Sequence, residues 1–323
     1  MKNILLFIFF FTPGFLASQI LFTAIDHSAN DVRACLLDDS THEIIEISFN
    51  NSYLPIWFGV KIVFNYGNHI WISDKTTKDQ RIIFEGLKPV VSRSNKYVAG
   101  YSKEGITIAD SSGKVLKKIE VDYWEKITPT FSYDEKSISY FDKERESSFL
   151  FNWKNETNKL FGKNIYHPSW SPDGSKILFN FGKMDSNFRV AVVDSSWKEG
   201  IPMNFITNVN ENSVLPIWSP KQNFIAYMTL NQINSKSESD LMNGTIILYD
   251  LKTKVKTILA EDAGFTEGAY PQFCFDQSEK YFYYTSINLL GNGAITRIDL
   301  QNNFQKENLT HDNNLDCRLP VCK

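Results

Sequence analysis

The side chains best suited to chemistry are scattered along this chain. Its five His stand at positions 27, 42, 69, 167 and 311, and its four Cys stand at positions 35, 274, 317 and 322. None of these has the spacing of a zinc site. The sequence also lacks G-x-S-x-G, H-E-x-x-H, G-x-G-x-x-G and P-loop motifs. We therefore predict no catalytic residues, no metal and no cofactor.

The four Cys form an even set, which permits disulfides if the protein is exported. Four Cys allow three full pairings, and the sequence does not choose among them. Buried free thiols, acting as small apolar residues, are an equally open alternative for Cys35 and Cys274.

Charge and composition narrow the class of protein. The 323 residues include 34 Lys and Arg against 37 Asp and Glu, for a formal net charge of −3. This balance argues against a nucleic-acid partner. The aromatic content is 14% and the hydrophobic content 42%, which favours a folded, β-rich chain.

The N-terminus has the order of a secretory signal peptide. Lys2 supplies a positive charge, an apolar run follows from Ile4, and Leu16-Ala17-Ser18 offers a small-residue cleavage site before Gln19. The apolar stretch of about 13 residues is shorter than the roughly 20 needed to span a bilayer. We predict a signal peptide over 1–18, a mature chain without a membrane span, and a periplasmic or secreted location. A retained membrane anchor is the alternative.

A repeated phrase runs through the rest of the chain. Its clearest copy is Pro168-Ser169-Trp170-Ser171-Pro172-Asp173-Gly174, followed by an apolar strand from Ile177 to Phe181. The aligned prolines stand at 55, 89, 129, 168, 216, 271 and 320, at intervals of 34 to 55 residues. The average interval is close to the period of roughly 40–45 residues of a four-stranded propeller blade. Trp57, Trp170 and Trp218 share one repeat position, which indicates a role in packing the blades.

Each repeat predicts four short strands, the first of them beginning just after the proline. The mature N-terminus starts in the middle of a repeat, and Leu319 to Lys323 supplies the missing first strand. We predict one all-β domain over 19–323, a β-propeller of seven four-stranded blades closed by pairing of its N- and C-terminal strands. Six blades with a loose C-terminal tail is the alternative.

The phrase around Trp170 resembles the WD40-like repeat of TolB-type propellers, and the resemblance covers essentially everything after Ser18. It is weakest in the first two repeats, where Gly59-Val60 replaces the Pro-Asp-Gly turn. TolB itself carries an additional N-terminal α/β domain, for which we expect no room in this chain. The resemblance implies an exported interaction module without defining its partner.

Two classes of function follow from this resemblance. We favour a monomeric, non-catalytic propeller that binds a protein, a peptide or an envelope glycan. The alternative is a propeller enzyme, such as an oligogalacturonate-type polysaccharide lyase. Some pectin-fragment lyases hold a metal through several His at the ring centre, and only His167 is placed for such a role here.

The longest insertions are predicted on one side of the propeller, at Val209 to Leu215, Asn231 to Asn243 and Ala260 to Ala269. Binding usually resides in loops on a rigid scaffold, so this side is the predicted binding face. Aromatic residues and Arg are enriched at interaction hot spots. The candidate contacts around the funnel are Trp124, Tyr166, His167, Glu211, Tyr270 and Arg318. Packing of the rings against neighbouring loops is the alternative.

Overall fold

The computed structural model describes residues 19–75, 78–122, 127–183, 187–230, 242–265, 273–288, 291–310 and 315–323. Within these ranges all regular elements are β-strands. None of the described segments forms a helix long and apolar enough to cross a bilayer.

The described residues form 28 strands. The first half comprises β1 (Gln19–Asp26), β2 (Asp31–Asp38), β3 (Ile44–Glu46), β4 (Ser52–Phe58), β5 (Lys61–Tyr66), β6 (His69–Ser73), β7 (Arg81–Glu85), β8 (Leu87–Val91), β9 (Tyr97–Ser102), β10 (Gly105–Asp110), β11 (Val115–Ile119), β12 (Thr130–Phe131), β13 (Ser137–Asp142) and β14 (Ser147–Asn152). The second half comprises β15 (Thr157–Lys163), β16 (Ile165–Trp170), β17 (Lys176–Phe181), β18 (Arg189–Asp194), β19 (Asn204–Phe205), β20 (Ser213–Trp218), β21 (Phe224–Leu230), β22 (Met242–Asp250), β23 (Lys256–Phe265), β24 (Phe273–Phe275), β25 (Tyr281–Ile287), β26 (Gly293–Asp299), β27 (Gln305–Asn308) and β28 (Leu315–Cys322).

These strands form five four-stranded sheets and one eight-stranded sheet, which we describe as units of four antiparallel strands. Unit 1 has the order β28-β1-β2-β3, and units 2 to 5 take β4–β7, β8–β11, β12–β15 and β16–β19 in turn. Unit 6 (β20–β23) and unit 7 (β24–β27) share one sheet, because Ala263 of β23 pairs with Ser286 of β25. The repeated four-stranded antiparallel sheets confirm the predicted all-β propeller fold.

The core lies between the units rather than within one of them. Each sheet presents large apolar side chains to its neighbour, and burial of such side chains supplies the main favourable term in folding. Representative buried pairs across successive junctions are Leu21 with Phe64, Val63 with Val98, Ile108 with Ile138, Phe141 with Tyr166, Leu178 with Tyr227, Met228 with Phe282, and Tyr283 with Phe22. The last of these clusters joins unit 7 to unit 1.

The two ends of the described chain meet in unit 1. Strand β28 pairs antiparallel with β1, placing Leu21 opposite Val321 and Ala24 opposite Cys317. An ion pair reinforces the contact between units 7 and 1, because Asp39 lies 2.7 Å from the guanidinium of Arg297. The hydroxyl of Tyr283 donates to the same carboxylate at 3.0 Å.

The tryptophans of the repeat position pack the units, as predicted. Trp57 is 7% exposed, and its Nε1 donates to the backbone carbonyl of Val321 in unit 1 at 3.2 Å. Trp218 makes the equivalent bond to the carbonyl of Ser169 in unit 5 at 3.0 Å. Trp170 is half-buried against the core of unit 5. Each of the two bonded indoles thus connects a unit to the preceding one.

Two predicted strand boundaries are wrong. In five units the first strand contains the proline instead of starting after it. A β-bulge at that point makes this possible, since it removes the need for the N–H that proline lacks. The second error is in the predicted insertions: β20 begins at Ser213, β22 begins at Met242, and β23 continues to Phe265 and pairs with β22 as far as Met242. The remaining parts of Asn231 to Asn243 and Ala260 to Ala269 lie outside the described residues.

Candidate functional site

The first strands of the units contain a repeated backbone irregularity. The residue before the proline has a positive φ at Leu54 (54°), Lys88 (54°), His167 (51°), Leu215 (53°) and Leu319 (63°). The strand register shifts at all five of these points, where the first strand holds one residue more than its partner. A left-handed conformation is uncommon for such residues, so the surrounding contacts must hold it.

A side chain from the preceding unit holds the irregularity in four cases. The backbone N–H of the residue before the proline donates to a Thr or Asn on the second strand of the neighbouring sheet. The four bonds are Leu54 to Thr23 Oγ1 (3.2 Å), Lys88 to Asn65 Oδ1 (2.8 Å), Leu215 to Asn180 Oδ1 (3.1 Å) and Leu319 to Thr285 Oγ1 (3.1 Å). Each of these bonds fixes the first strand of one unit to the second strand of the preceding unit.

First strands contact the first strands of neighbouring units, so they line the centre of the assembly. A cavity of about 330 Å³ opens among four of them, β4, β20, β24 and β28. Its wall is almost entirely apolar and includes Leu54, Pro55, Ile56, Ile217, Trp218, Pro220, Phe273, Phe275, Leu319, Pro320 and Val321. We call this space the central cavity. It falls in the size range of small-molecule and peptide side-chain pockets.

A disulfide forms part of the cavity wall. Cys274 of β24 is bonded to Cys322 of β28, with their Cα atoms 5.9 Å apart. The bond joins units 7 and 1 at their first strands, and it decides the pairing that the sequence left open. The free-thiol alternative for Cys274 is therefore wrong. Cys35 and Cys317 are buried thiols outside this disulfide, and burial raises the pKa of Cys35 to about 12.

His167 lies away from the wall of the central cavity, on the first strand of unit 5. Burial, with a smaller contribution from the charge of Lys88, lowers its pKa to about 4. The imidazole is therefore neutral at pH 7. Because Lys88 occupies the same repeat position in unit 3, equivalent positions of two units face a common space.

Tyr166 is a packing residue. It is 2% exposed, stacks on Phe141 with centroids 4.4 Å apart, and meets Phe188 edge-on at 5.2 Å. Burial raises the pKa of its hydroxyl to about 12. For this residue the alternative of packing against neighbouring elements describes the observed contacts.

Arg318 is engaged by a buried carboxylate. Its Nε lies 2.8 Å from Oδ1 of Asp316, whose side chain is 1% exposed. Asp316 also accepts from the backbone N–H of Gly293 at 2.8 Å and contacts Nε2 of His27 at 3.0 Å. Burial alone would raise the pKa of Asp316, but Arg318 and these hydrogen bonds hold it below the usual value.

Glu211 is held between units 5 and 6. Its carboxylate lies 3.1 Å from Nζ of Lys256 and accepts from Nδ2 of Asn208 at 2.6 Å. Trp124 and Tyr270, the other two predicted contacts, lie outside the described residues. Among the four candidates that the structure describes, His167 is the one that directly precedes a repeat proline and has a positive φ.

The apolar wall of the central cavity was not among the sequence predictions. Ile56, Ile217 and Val321 each stand directly after a repeat proline, and that shared position is the signal from which the apolar wall could have been predicted. Among the described residues, no three or more His, Cys, Asp or Glu side chains are grouped so as to hold a metal ion.

No protein-family model matches the chain, and no curated protein sequence does. Several solved structures are similar to the chain. TolB from Acinetobacter baumannii is 15% identical with a TM-score of 0.56, over 90% of this chain and 79% of that one. An oligogalacturonate lyase from Vibrio parahaemolyticus is 10% identical with a TM-score of 0.57, over 90% and 85%.

A putative 6-phosphogluconolactonase from Bacteroides fragilis is 16% identical with a TM-score of 0.56, over 97% of this chain and 99% of that one. At such low identity the similarity shows the fold alone, since propellers serve unrelated functions. The chain has a β-propeller fold similar to that of TolB.

Proposed function

We propose that this chain is an exported, non-catalytic propeller that binds an extended, apolar segment of a partner protein in its central cavity. The apolar wall of that cavity carries the proposal. A glycan would require polar groups along the wall, whereas apolar side chains of a peptide match it and are released from water on binding.

The proposal includes the organisation of the chain. Residues 1–18 act as a signal peptide, and residues 19–323 form one monomeric, seven-bladed ring in the periplasm or outside the cell. Two observations support this. Strand β28 pairs with β1, and a disulfide joins units 7 and 1. Disulfides persist in oxidising compartments.

A charge placed in the wall tests the binding site. Ile217 is partly buried and lines the cavity, whereas Val60 is 73% exposed in a turn of unit 2. Wild type, Ile217→Glu and Val60→Glu are immobilised, and each is incubated with an envelope extract of the native cells. A partner found with wild type is then purified and its affinity is measured by calorimetry.

We expect Val60→Glu to bind like wild type and Ile217→Glu to bind at least about tenfold more weakly, since a buried unpaired charge is costly. All three proteins must melt at similar temperatures. Equal affinity of Ile217→Glu and wild type would place the binding site elsewhere.

The lyase alternative is favoured by the position of His167 at the bulge of a first strand and by the similarity in fold to the oligogalacturonate lyase. It is tested by incubating the protein with oligogalacturonates and following the absorbance of an unsaturated product. Cleavage that is lost in His167→Ala would replace the non-catalytic proposal.

A further inference from the structure

Gln19 occupies a defined position at one end of unit 1. It is the first residue of β1 and lies opposite Asp38 of β2. Its neighbour Ile20 pairs with Cys322 of β28, so Gln19 lies beside Lys323. The pairing of Gln19 with β2, and of its neighbour Ile20 with β28, therefore holds this residue in place.

A lysine ammonium group contacts the side chain of Gln19. Its Oε1 accepts a hydrogen bond from Nζ of Lys75. That ammonium group lies 5.0 Å from the ring centroid of Trp57, and the ammonium group of Lys323 lies 5.3 Å from the same centroid. Burial and the charge of Lys323 both lower the pKa of Lys75.

The nearest carboxylate across the strand pair has other partners. Oδ1 of Asp38 accepts from the backbone N–H and the hydroxyl of Ser40, at 2.9 and 2.6 Å, and from the N–H of Thr41 at 3.1 Å. The Asp38 carboxylate is thus directed into its own turn.

We propose that Gln19 is a modification site at which the mature N-terminus cyclises to pyroglutamate, with Lys75 assisting the reaction. The inference rests on the proposed cleavage after Ser18, which would free the α-amine of Gln19. The amine nitrogen attacks Cδ of its own side chain and forms a new C–N bond. The bond from Cδ to Nε2 then breaks, and ammonia leaves with a proton taken from the amine.

Lys75 favours this reaction in two ways. Its ammonium group donates to Oε1, the atom on which negative charge develops during the attack. A neighbouring positive charge also lowers the pKa of an amine, which increases the fraction of the α-amine in its nucleophilic, neutral form. The product is uncharged and so removes one positive charge from beside Lys75 and Lys323. The lactam keeps one N–H and one C=O for the first position of the strand.

Peptide mass spectrometry of the exported, purified protein tests the site. We expect an N-terminal peptide that begins at Gln19 and is lighter than the free form by one ammonia. A peptide with an intact, free Gln19 after prolonged incubation at pH 7.5 would overturn the cyclisation and leave the cleavage site standing. A chain that retains Met1 would refute both the cleavage and the inference.

The role of Lys75 is tested by the rate at which freshly exported protein loses ammonia. Lys75→Met should slow the loss of ammonia by about three- to tenfold. The substitution removes the charge that lowers the pKa of the α-amine and the donor to the developing oxyanion. Lys75→Arg, which keeps the charge, should cyclise at close to the wild-type rate, and a normal melting temperature shows that the site is intact. The control Lys176→Met removes a surface lysine from unit 5. Equal rates in Lys75→Met and Lys176→Met would remove Lys75 from the proposal.

Discussion

Oδ1 of Asn65 accepts a hydrogen bond from the backbone N–H of Lys88 at 2.8 Å, across the junction of units 2 and 3. Nδ2 of the same side chain donates to the carbonyl oxygen of Gly86 at 3.1 Å. Asn65 is fully buried. The Asn65 amide therefore bonds the carbonyl of Gly86 and the N–H of Lys88, and it holds Lys88 at its positive φ.

Asn65→Ala should destabilise the protein by about 1–3 kcal/mol, because it removes both hydrogen bonds and takes the Asn65 donor from the buried carbonyl of Gly86. Urea denaturation measures the loss. Asn155→Ala, in an exposed turn, is the matched control and should cost less than about 0.5 kcal/mol. Similar values for the two variants would contradict the importance of this bond.

The sequence was sufficient to predict the propeller fold and not the contacts between its units. Proline, tryptophan and turn residues repeat along the chain, so the repeat and the packing role of Trp57 are readable locally. The bond from Asn65 to Lys88 and the disulfide from Cys274 to Cys322 depend on which strands become neighbours in space.

The burial of Tyr166 has the same origin. Its position before a proline indicates only a strand start, while the ring of Phe141 that covers it comes from another unit. The exposure of an aromatic side chain such as Tyr166 therefore depends on the position of the neighbouring sheet, which the local sequence does not give.

The disulfide should stabilise the oxidised protein. The double variant Cys274→Ser, Cys322→Ser is expected to lose about 2–4 kcal/mol, as typical for a bond that closes a loop of this length. Urea denaturation without reductant measures the difference, and the two proteins should converge when wild type is reduced. Alkylation of unreduced, unfolded protein should label Cys35 and Cys317 alone. Labelling of Cys274 or Cys322 would contradict the pairing.

Removal of Leu319 to Lys323 should destabilise the protein beyond the effect of losing the disulfide. The truncation exposes the edge of β1 opposite Val321 and removes the bond from Leu319 to Thr285. The reference protein is full-length Cys322→Ser, so that both proteins lack the disulfide. We expect the truncated protein to melt at least about 5 °C lower, corresponding to more than about 1–2 kcal/mol. Equal melting temperatures would favour six blades and a loose C-terminal tail.

Asp316 should make stability depend on pH in the acid range. The pKa of Asp316 is lower in the folded protein than in the unfolded chain. The stability that the ionised carboxylate contributes is therefore present above the unfolded pKa of about 3.9, and it is lost as the pH falls through the folded pKa. Asp316→Asn should cost about 2–4 kcal/mol at pH 7, since it removes the ion pair with the half-buried Arg318 and a buried carboxylate acceptor.

Urea denaturation at pH 7 and at pH 3 measures the gap between wild type and Asp316→Asn, which should narrow at the lower pH. Glu104→Gln, which disrupts an exposed pair with Lys118, is the control and should have little effect at either pH. A gap of equal size at both pH values would show that the ionised carboxylate is not the source of the stabilisation.

Protonation of His167 should destabilise the folded protein at mildly acid pH. Its folded pKa is about 4, below the unfolded value of about 6.5, so the unfolded state binds the proton first. Stability should therefore be unaffected by this residue above pH 6.5 and should decrease as the pH falls from 6.5 towards 4. His167→Gln, which cannot titrate, should lose less stability than wild type between pH 7 and pH 4.5.

Titration of the His167 ring by NMR gives its pKa directly, and Lys88→Met should raise this pKa slightly by removing a nearby positive charge. A wild-type value near 6.5 would show that the imidazole is solvated and would return His167 to the exposed contacts of the binding face.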